Sequence, residues 1–220
     1  MARRAVGAAA AALLLALSAS ACSGGGERYD RAAAAENEAG LAACRAAFGA
    51  ANVDAVRGEF AEDGGRFRPS GPSPDRIRTK ALAEARDWDR ASDDFRRAFY
   101  GLCTLEGAWD DGPQEVSGSI RWSISTMDVT PPPGRLPRWG KVSEGVYLGS
   151  PVHRDRTLLM RCTVSGTGPE QAQWLPLEVS VRADGTSPEL RDRLLASLAR
   201  STRALLGCRE ELTVPDDLTA

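Results

Sequence analysis

A lone histidine, five cysteines and several adjacent pairs of acids are the side chains of this 220-residue chain that could move protons, hold metals or form covalent bonds. His153 stands in Pro151-Val152-His153-Arg154-Asp155, a polar turn between strands. A general base needs a positioned partner, and none is identifiable there, so His153 reads as a surface-loop residue. The sequence has no histidine pair for zinc, no Gly-x-Ser-x-Gly, no Ser-x-x-Lys and no Gly-Lys-Ser/Thr, which counts against the common hydrolases. The pairs Glu62-Asp63, Asp93-Asp94, Asp110-Asp111 and Asp216-Asp217 lack the alternating oxygen ligands of a calcium loop and read as solvated turns and caps. Gly166-Thr167-Gly168 is followed by Pro169 and a strand pattern, not by a helix, so it reads as a turn and not a phosphate cradle. No catalytic residue, metal site or cofactor is expected.

The cysteines show no C-x-x-C spacing, so disulfides are favoured over redox or zinc roles. Five is an odd number, which in an oxidising compartment strands one thiol. Cys22 is the odd one by context. It follows Arg3-Arg4, an apolar run from Ala5 to Leu17, and the small residues Ser18 to Ala21, the three-part layout of a secretory signal. The run is shorter than the roughly 20 apolar residues that a membrane span needs. Ala19-Ser20-Ala21 suits ordinary signal peptidase, but the same residues before a cysteine also resemble a bacterial lipobox, with Ala19 where leucine is usual. Lipidation of Cys22 leaves Cys44, Cys103, Cys162 and Cys208, an even set, and this parity favours the lipid-anchored reading. Two acyl chains, at about 0.8 kcal/mol per buried CH2, hold a protein at a membrane durably. A secreted soluble protein is the outcome if Cys22 is not lipidated.

Removing residues 1–21 leaves 26 basic residues (28 less Arg3 and Arg4) against 30 acids, an acidic balance that argues against nucleic acid as a partner. Only Lys80 and Lys141 are lysines. In its leader, cysteine layout and composition the chain is similar to actinomycete lipoproteins of unknown function. That resemblance implies an address, the extracytoplasmic face of the cell membrane, and no activity.

The elements that must position these groups follow from periodicity. Residues 22–28 read as a lipidated cysteine and flexible tether, and 29–213 as one α+β domain, helical over 29–106 and sheet plus helix over 107–213. A helix from about Tyr29 carries Leu41, Cys44 and Phe48 on one face and stops at Gly49. A second is expected from Asn52, bearing Val53, Val56 and Phe60, and then a loop runs through Asp63 to Pro72. Ser73-Pro74-Asp75 opens a third, with Ile77, Ala81, Leu82, Ala85 and Trp88. Phe95, Phe99, Leu102 and Cys103 repeat at i, i+4, i+7 and i+8, which predicts a further buried helix.

From Val116 the period falls to two. Strands are predicted over 116–124, 142–148, 158–164 and 175–181, with a Pro-rich loop from Thr130 to Gly140. A last helix starts at Ser187-Pro188-Glu189, buries Leu190, Leu194, Leu198 and Leu205, and ends at Gly207. The expected fold is α+β, with N-terminal helices followed by a four-stranded antiparallel meander and the C-terminal helix packed on the sheet. Residues 214–220 read as a disordered tail. Four cysteines allow three pairings; Cys44 with Cys103 and Cys162 with Cys208 are favoured because each joins neighbouring elements.

Trp139 lies in the Pro-rich loop, Tyr147 points opposite to Val146 and Leu148, and Trp174 is out of phase with Leu175 and Leu177. On a shared exposed face they form a candidate binding surface for a glycan or a partner protein of the envelope. The favoured expectation is that a second helical layer over 74–103 covers and buries them. The functional expectation is a membrane-anchored extracytoplasmic protein with a non-catalytic binding or structural role; a small envelope hydrolase working through Asp and Glu is the alternative.

Overall fold

The computed structural model describes residues 24–62, 66–109, 112–129, 138–150 and 155–218, with the side chains of 24–32, 61–62, 66, 108–109 and 112–113 excepted. The leader, Cys22 and His153 therefore lie outside the described residues. The chain divides into two units, Met1–Glu36 and Asn37–Ala220. In order, the elements are α1 (Gly24–Phe48), α2 (Ala50–Glu62), β1 (Arg66–Ser70), α3 (Pro74–Asp87), a 3-10 turn (Arg90–Ser92), β2 (Tyr100–Trp109), β3 (Gly112–Trp122), β4 (Trp139–Ser143), β5 (Val146–Gly149), β6 (Asp155–Met160), α4 (Gln171–Trp174), β7 (Leu177–Ala183) and α5 (Pro188–Leu206).

The helix boundaries have local causes. Gly49 ends α1 at φ +81°, a left-handed conformation that a residue with a Cβ resists. The Ser187 hydroxyl accepts the Leu190 N–H, Pro188 supplies a first turn that needs no donor, and Gly207 closes α5 at φ +68°.

The seven strands form one antiparallel sheet in the order β1-β2-β3-β7-β6-β5-β4. Two meanders, β1 to β3 and β4 to β7, are joined where the last strand pairs with β3. Most of the apolar residues of the central strands project to one side. Val116, Ile120 and Trp122 of β3, Leu177, Val179 and Val181 of β7, and Leu158 and Met160 of β6 are buried there with Leu190, Leu194 and Leu198 of α5 and with Phe48, Val53, Val56 and Phe60. The Trp122 indole N–H donates to the Ala81 carbonyl of α3 at 2.8 Å, so α3 shares this side as well.

Both disulfides tie the helices to the sheet. Cys44 on α1 is bonded to Cys103 on β2, and Cys162, just past β6, is bonded to Cys208, just past α5. With sequence separations of 59 and 46, each contributes roughly 4 kcal/mol on the chain-entropy account.

The sheet corrects the predicted four-stranded meander. Residues 63–72, read as a loop, contain β1; its short Arg-Phe-Arg-Pro-Ser sequence carries Pro69 and suits an edge strand. The helix predicted through Phe95 to Cys103 is an irregular stretch up to Phe99 and then the start of β2. Its four apolar residues matched a helical period, but Phe95 and Phe99 are exposed, and Leu102 falls at a shift in the β2–β3 register between Gly101 and Cys103, which lets it and Cys103 both be buried. The single strand predicted over 142–148 is a hairpin of β4 and β5, turned at Gly145 with φ +70°. Other departures are smaller. Helix α1 starts at Gly24, so the segment read as a tether is helical from there, an extension that adds a hydrogen bond per residue once the Ala-rich run has nucleated. The tail read as disordered buries Val214 and Leu218. Arg200 donates to the Val214 carbonyl at 3.0 Å and Arg156 to that of Leu218 at 3.2 Å.

Helices and sheet approach closely at Gly118 on β3. A Cβ there would lie 2.7 Å from the Phe48 ring and 3.0 Å from a Leu198 methyl. Gly118→Ala should lower stability by about 1–3 kcal/mol through overpacking, measured by urea unfolding. An unchanged midpoint would show that the helical layer sits farther from β3.

Candidate functional site

The other side of the sheet carries no helix among the described residues. There β3, β7 and β6 present three rows fixed by register. Ser117 lies opposite Arg182, which lies opposite Asp155; Ser119 opposite Ser180, opposite Thr157; and Arg121 opposite Glu178, opposite Leu159. The middle row is a line of hydroxyls, with an arginine–carboxylate pair on each side of it.

The Arg121–Glu178 pair is built into the floor, and the Arg182–Asp155 pair is half exposed above it. Glu178, almost fully buried, accepts from Nε of Arg121 at 2.9 Å and from its Nη2 through one carboxylate oxygen, and from Ser123 at 2.9 Å through the other. Arg121 is partly exposed and has no partner for Nη1 among the described residues. Arg182 donates to Asp155 at 3.2 Å. Thr157 and Ser180 share a hydrogen bond of 3.0 Å, while the hydroxyls of Ser117 and Ser119 make none among the described residues, although Ser119 is buried. The hydroxyls of Ser117 and Ser119 face the groove and are free to bond a ligand there.

Together these residues line a groove of about 630 Å³ that ends at Phe99 on one side and at Arg138, Trp139, Gly149 and Ser150 on the other. The volume falls within the roughly 300–1,000 Å³ typical of ligand sites. At the second end Met127 packs with Trp139 and Leu159, and Val129 and Tyr147 lie against them. The Trp139 ring lies over Gly149, where a Cβ would approach it to 3.2 Å.

Phe99 is held from both flanks. Glu84 of α3 accepts the Ala98 N–H at 3.0 Å through one oxygen and the Tyr100 hydroxyl at 2.7 Å through the other. Burial pushes the Tyr100 hydroxyl above its ordinary pKa, and the bond to Glu84 adds to that. The preceding loop is organised by Asp93, which accepts from both terminal nitrogens of Arg97, from the Trp88 indole and from the Phe95 N–H. The Arg97 bonds hold the Asp93 carboxyl well below the usual carboxylate range, against the opposing effect of burial.

The three predicted aromatic residues do not form one surface. Trp139 is buried in the cluster that closes the groove, and Tyr147 packs beside it, half-buried. Trp174 is elsewhere, with the Arg90 guanidinium 3.7 Å above its ring. The helical layer expected to bury them is not on this face: α3 lies with α5 on the apolar side, and residues 93–103 are not helical. The groove residues Ser119, Arg121, Glu178 and Ser180 were visible in sequence only as the polar half of two strand patterns. Their convergence depends on β3 pairing with β7, two strands 54 residues apart at Gly112–Trp122 and Leu177–Ala183.

A second cavity, of about 300 Å³, lies among α1, α3 and α5 and is lined by Ala43, Ala47, Ile77, Leu102, Ala204 and Leu205 among others; it offers almost no polar group to orient a ligand. Among the described residues no group of three or more His, Cys, Asp and Glu side chains is placed to hold a metal ion. None of the helices described is long and apolar enough to cross a membrane. Comparison with known proteins finds no matching family, no matching curated protein and no matching solved structure.

Because the pKa of Asp93 is lowered by folding, its stabilising contribution is complete above the unfolded value of about 4 and is lost as pH falls below it. Asp93→Asn leaves the buried Arg97 without its counter-charge. It should cost about 3 kcal/mol at neutral pH and progressively less below about pH 4, by denaturant titration at a series of pH values. A difference from the parent chain that does not vary with pH would contradict this role.

Proposed function

We propose that this protein is an extracytoplasmic binding protein, lipid-anchored at the cell membrane through Cys22, that holds a component of the envelope in the groove on the open face of its sheet. The observation that carries the reading is the pairing of an uncovered sheet face with a row of hydroxyls that lines its groove, flanked on each side by an arginine–carboxylate pair. The Ser119 hydroxyl, which lines the groove without a partner among the described residues, and Phe99, held at the rim through its neighbours, are features a ligand can use.

The address rests on separate support. Two disulfide bonds are characteristic of oxidising compartments, and they use every cysteine except Cys22, the residue that follows the leader. The lipid then keeps the groove at the membrane surface. The enzymatic alternative would use the groove acids, but Glu178 and Asp155 are each engaged by an arginine. They serve better to orient guanidinium groups than to transfer protons.

Intact mass of the protein from its own host's membranes tests both parts. The chain should begin at Cys22 with a diacylglyceryl addition, and under native conditions it should carry a non-covalent companion mass. Gly101→Leu places a side chain beside Ser119 from a position where a Cβ meets nothing within 4 Å, and should abolish the companion without unfolding the chain. A soluble unmodified chain would refute the anchor, and a companion retained by Gly101→Leu would refute the groove.

A further inference from the structure

The geometry points to a neutral oligosaccharide as the ligand of the groove, an assignment that rests on the binding role proposed above. Charge comes first. The described lining residues include Arg121, Arg138 and Arg182 against Glu115, Asp155 and Glu178, so the groove is balanced and favours neither an anion nor a cation. A phosphorylated or polyanionic ligand would call for arginines in excess, and two of these three are already paired with carboxylates.

The donors and acceptors suit a polyol. Ser119, Ser180 and Thr157 give a row of groups that can both donate and accept, the pattern that sugar hydroxyls need. Both donors and acceptors flank that row. The Nη1 of Arg121 and the terminal nitrogens of Arg182 donate, while Glu115 and Asp155 accept. Ring hydroxyls next to one another can bridge such neighbouring groups, whereas a peptide adding as a strand would call for a free edge, which this central floor does not have.

The third feature is the pair of aromatic ends. Phe99 is 69% exposed yet held on both sides by Glu84, and Trp139 closes the far end with its ring over Gly149. Between them the floor is low, with Gly101 opposite Ser119. Phe99 therefore offers a fixed apolar wall to the C–H face of a sugar ring whose hydroxyls meet the floor. From β3 through β7 and β6 to β5 is three strand spacings, roughly 14 Å, which suits a short chain of sugars better than a single ring.

The test uses the full chain, purified in detergent from host membranes, against an array carrying neutral oligosaccharides, acidic oligosaccharides and unmodified peptides. The parent chain should retain neutral oligosaccharides. Phe99→Ala should weaken that binding roughly tenfold, and Gly101→Leu should abolish it, with both variants keeping the parent's unfolding midpoint. Retention of only acidic sugars or only peptides, lost in Gly101→Leu, would overturn the sugar assignment and leave the groove as the binding site. Absence of all binding, or binding indifferent to both variants, would overturn the groove together with the sugar.

Discussion

The structure depends on putting the apolar side chains of β3, β7 and β6 on one side of the sheet and closing that side with helices. A strand's side chains alternate, so one choice of pairing between β3 and β7 sets both faces at once. Ile120 pairs with Val179 and Trp122 with Leu177 under α5 and α3; by the same register Ser119 meets Ser180 and Arg121 meets Glu178 on the reverse. A slip of one residue would bury the ion pairs and expose the core. The disulfides reinforce the choice by fastening α1 to β2 and the end of α5 to the end of β6, on the helical side.

This division gives the two faces different tolerances. The helical side is packed to the point where Gly118 admits no Cβ, and Gly40 and Gly71 would bring one within 2.3 Å and 2.5 Å of backbone oxygens of Pro69 and Leu102. The open side holds a groove whose rim residue, Phe99, is fixed through Glu84 while its ring remains in solvent. Rigidity is therefore carried from the core to the site by α3, which packs Ile77, Ala81, Leu82 and Ala85 inward and reaches Ala98 and Tyr100 with Glu84. A site supported in this way lowers the ordering cost of binding.

Much of the frame was legible from periodicity and capping. Ser187-Pro188-Glu189 and Gly207 delimit α5, Pro74 opens α3, and Gly49 ends α1, because these residues act locally. The favoured cysteine pairs, Cys44 with Cys103 and Cys162 with Cys208, are those in the structure. What escaped were features decided by tertiary context. β1 is five residues long with a proline and gains its definition from pairing with β2. Phe95 and Phe99 imitate a helical stripe, but the network around Asp93 fixes that stretch as a loop, with Phe95 itself at φ +58°. The groove was hidden for a related reason. Ser119, Arg121, Glu178 and Ser180 look like ordinary solvent-facing positions until two distant strands are laid side by side.

The central claim is that the open face of the sheet is occupied at the cell surface, and hydroxyl-radical footprinting tests it most directly. Intact host cells and the purified chain would be oxidised in parallel, and the modification of Phe99 compared with that of Phe95, which is similarly exposed at 66% but does not line the groove. The account predicts that Phe99 alone is protected in cells, and that both are oxidised alike in the purified protein. Equal oxidation of Phe95 and Phe99 on intact cells would contradict it.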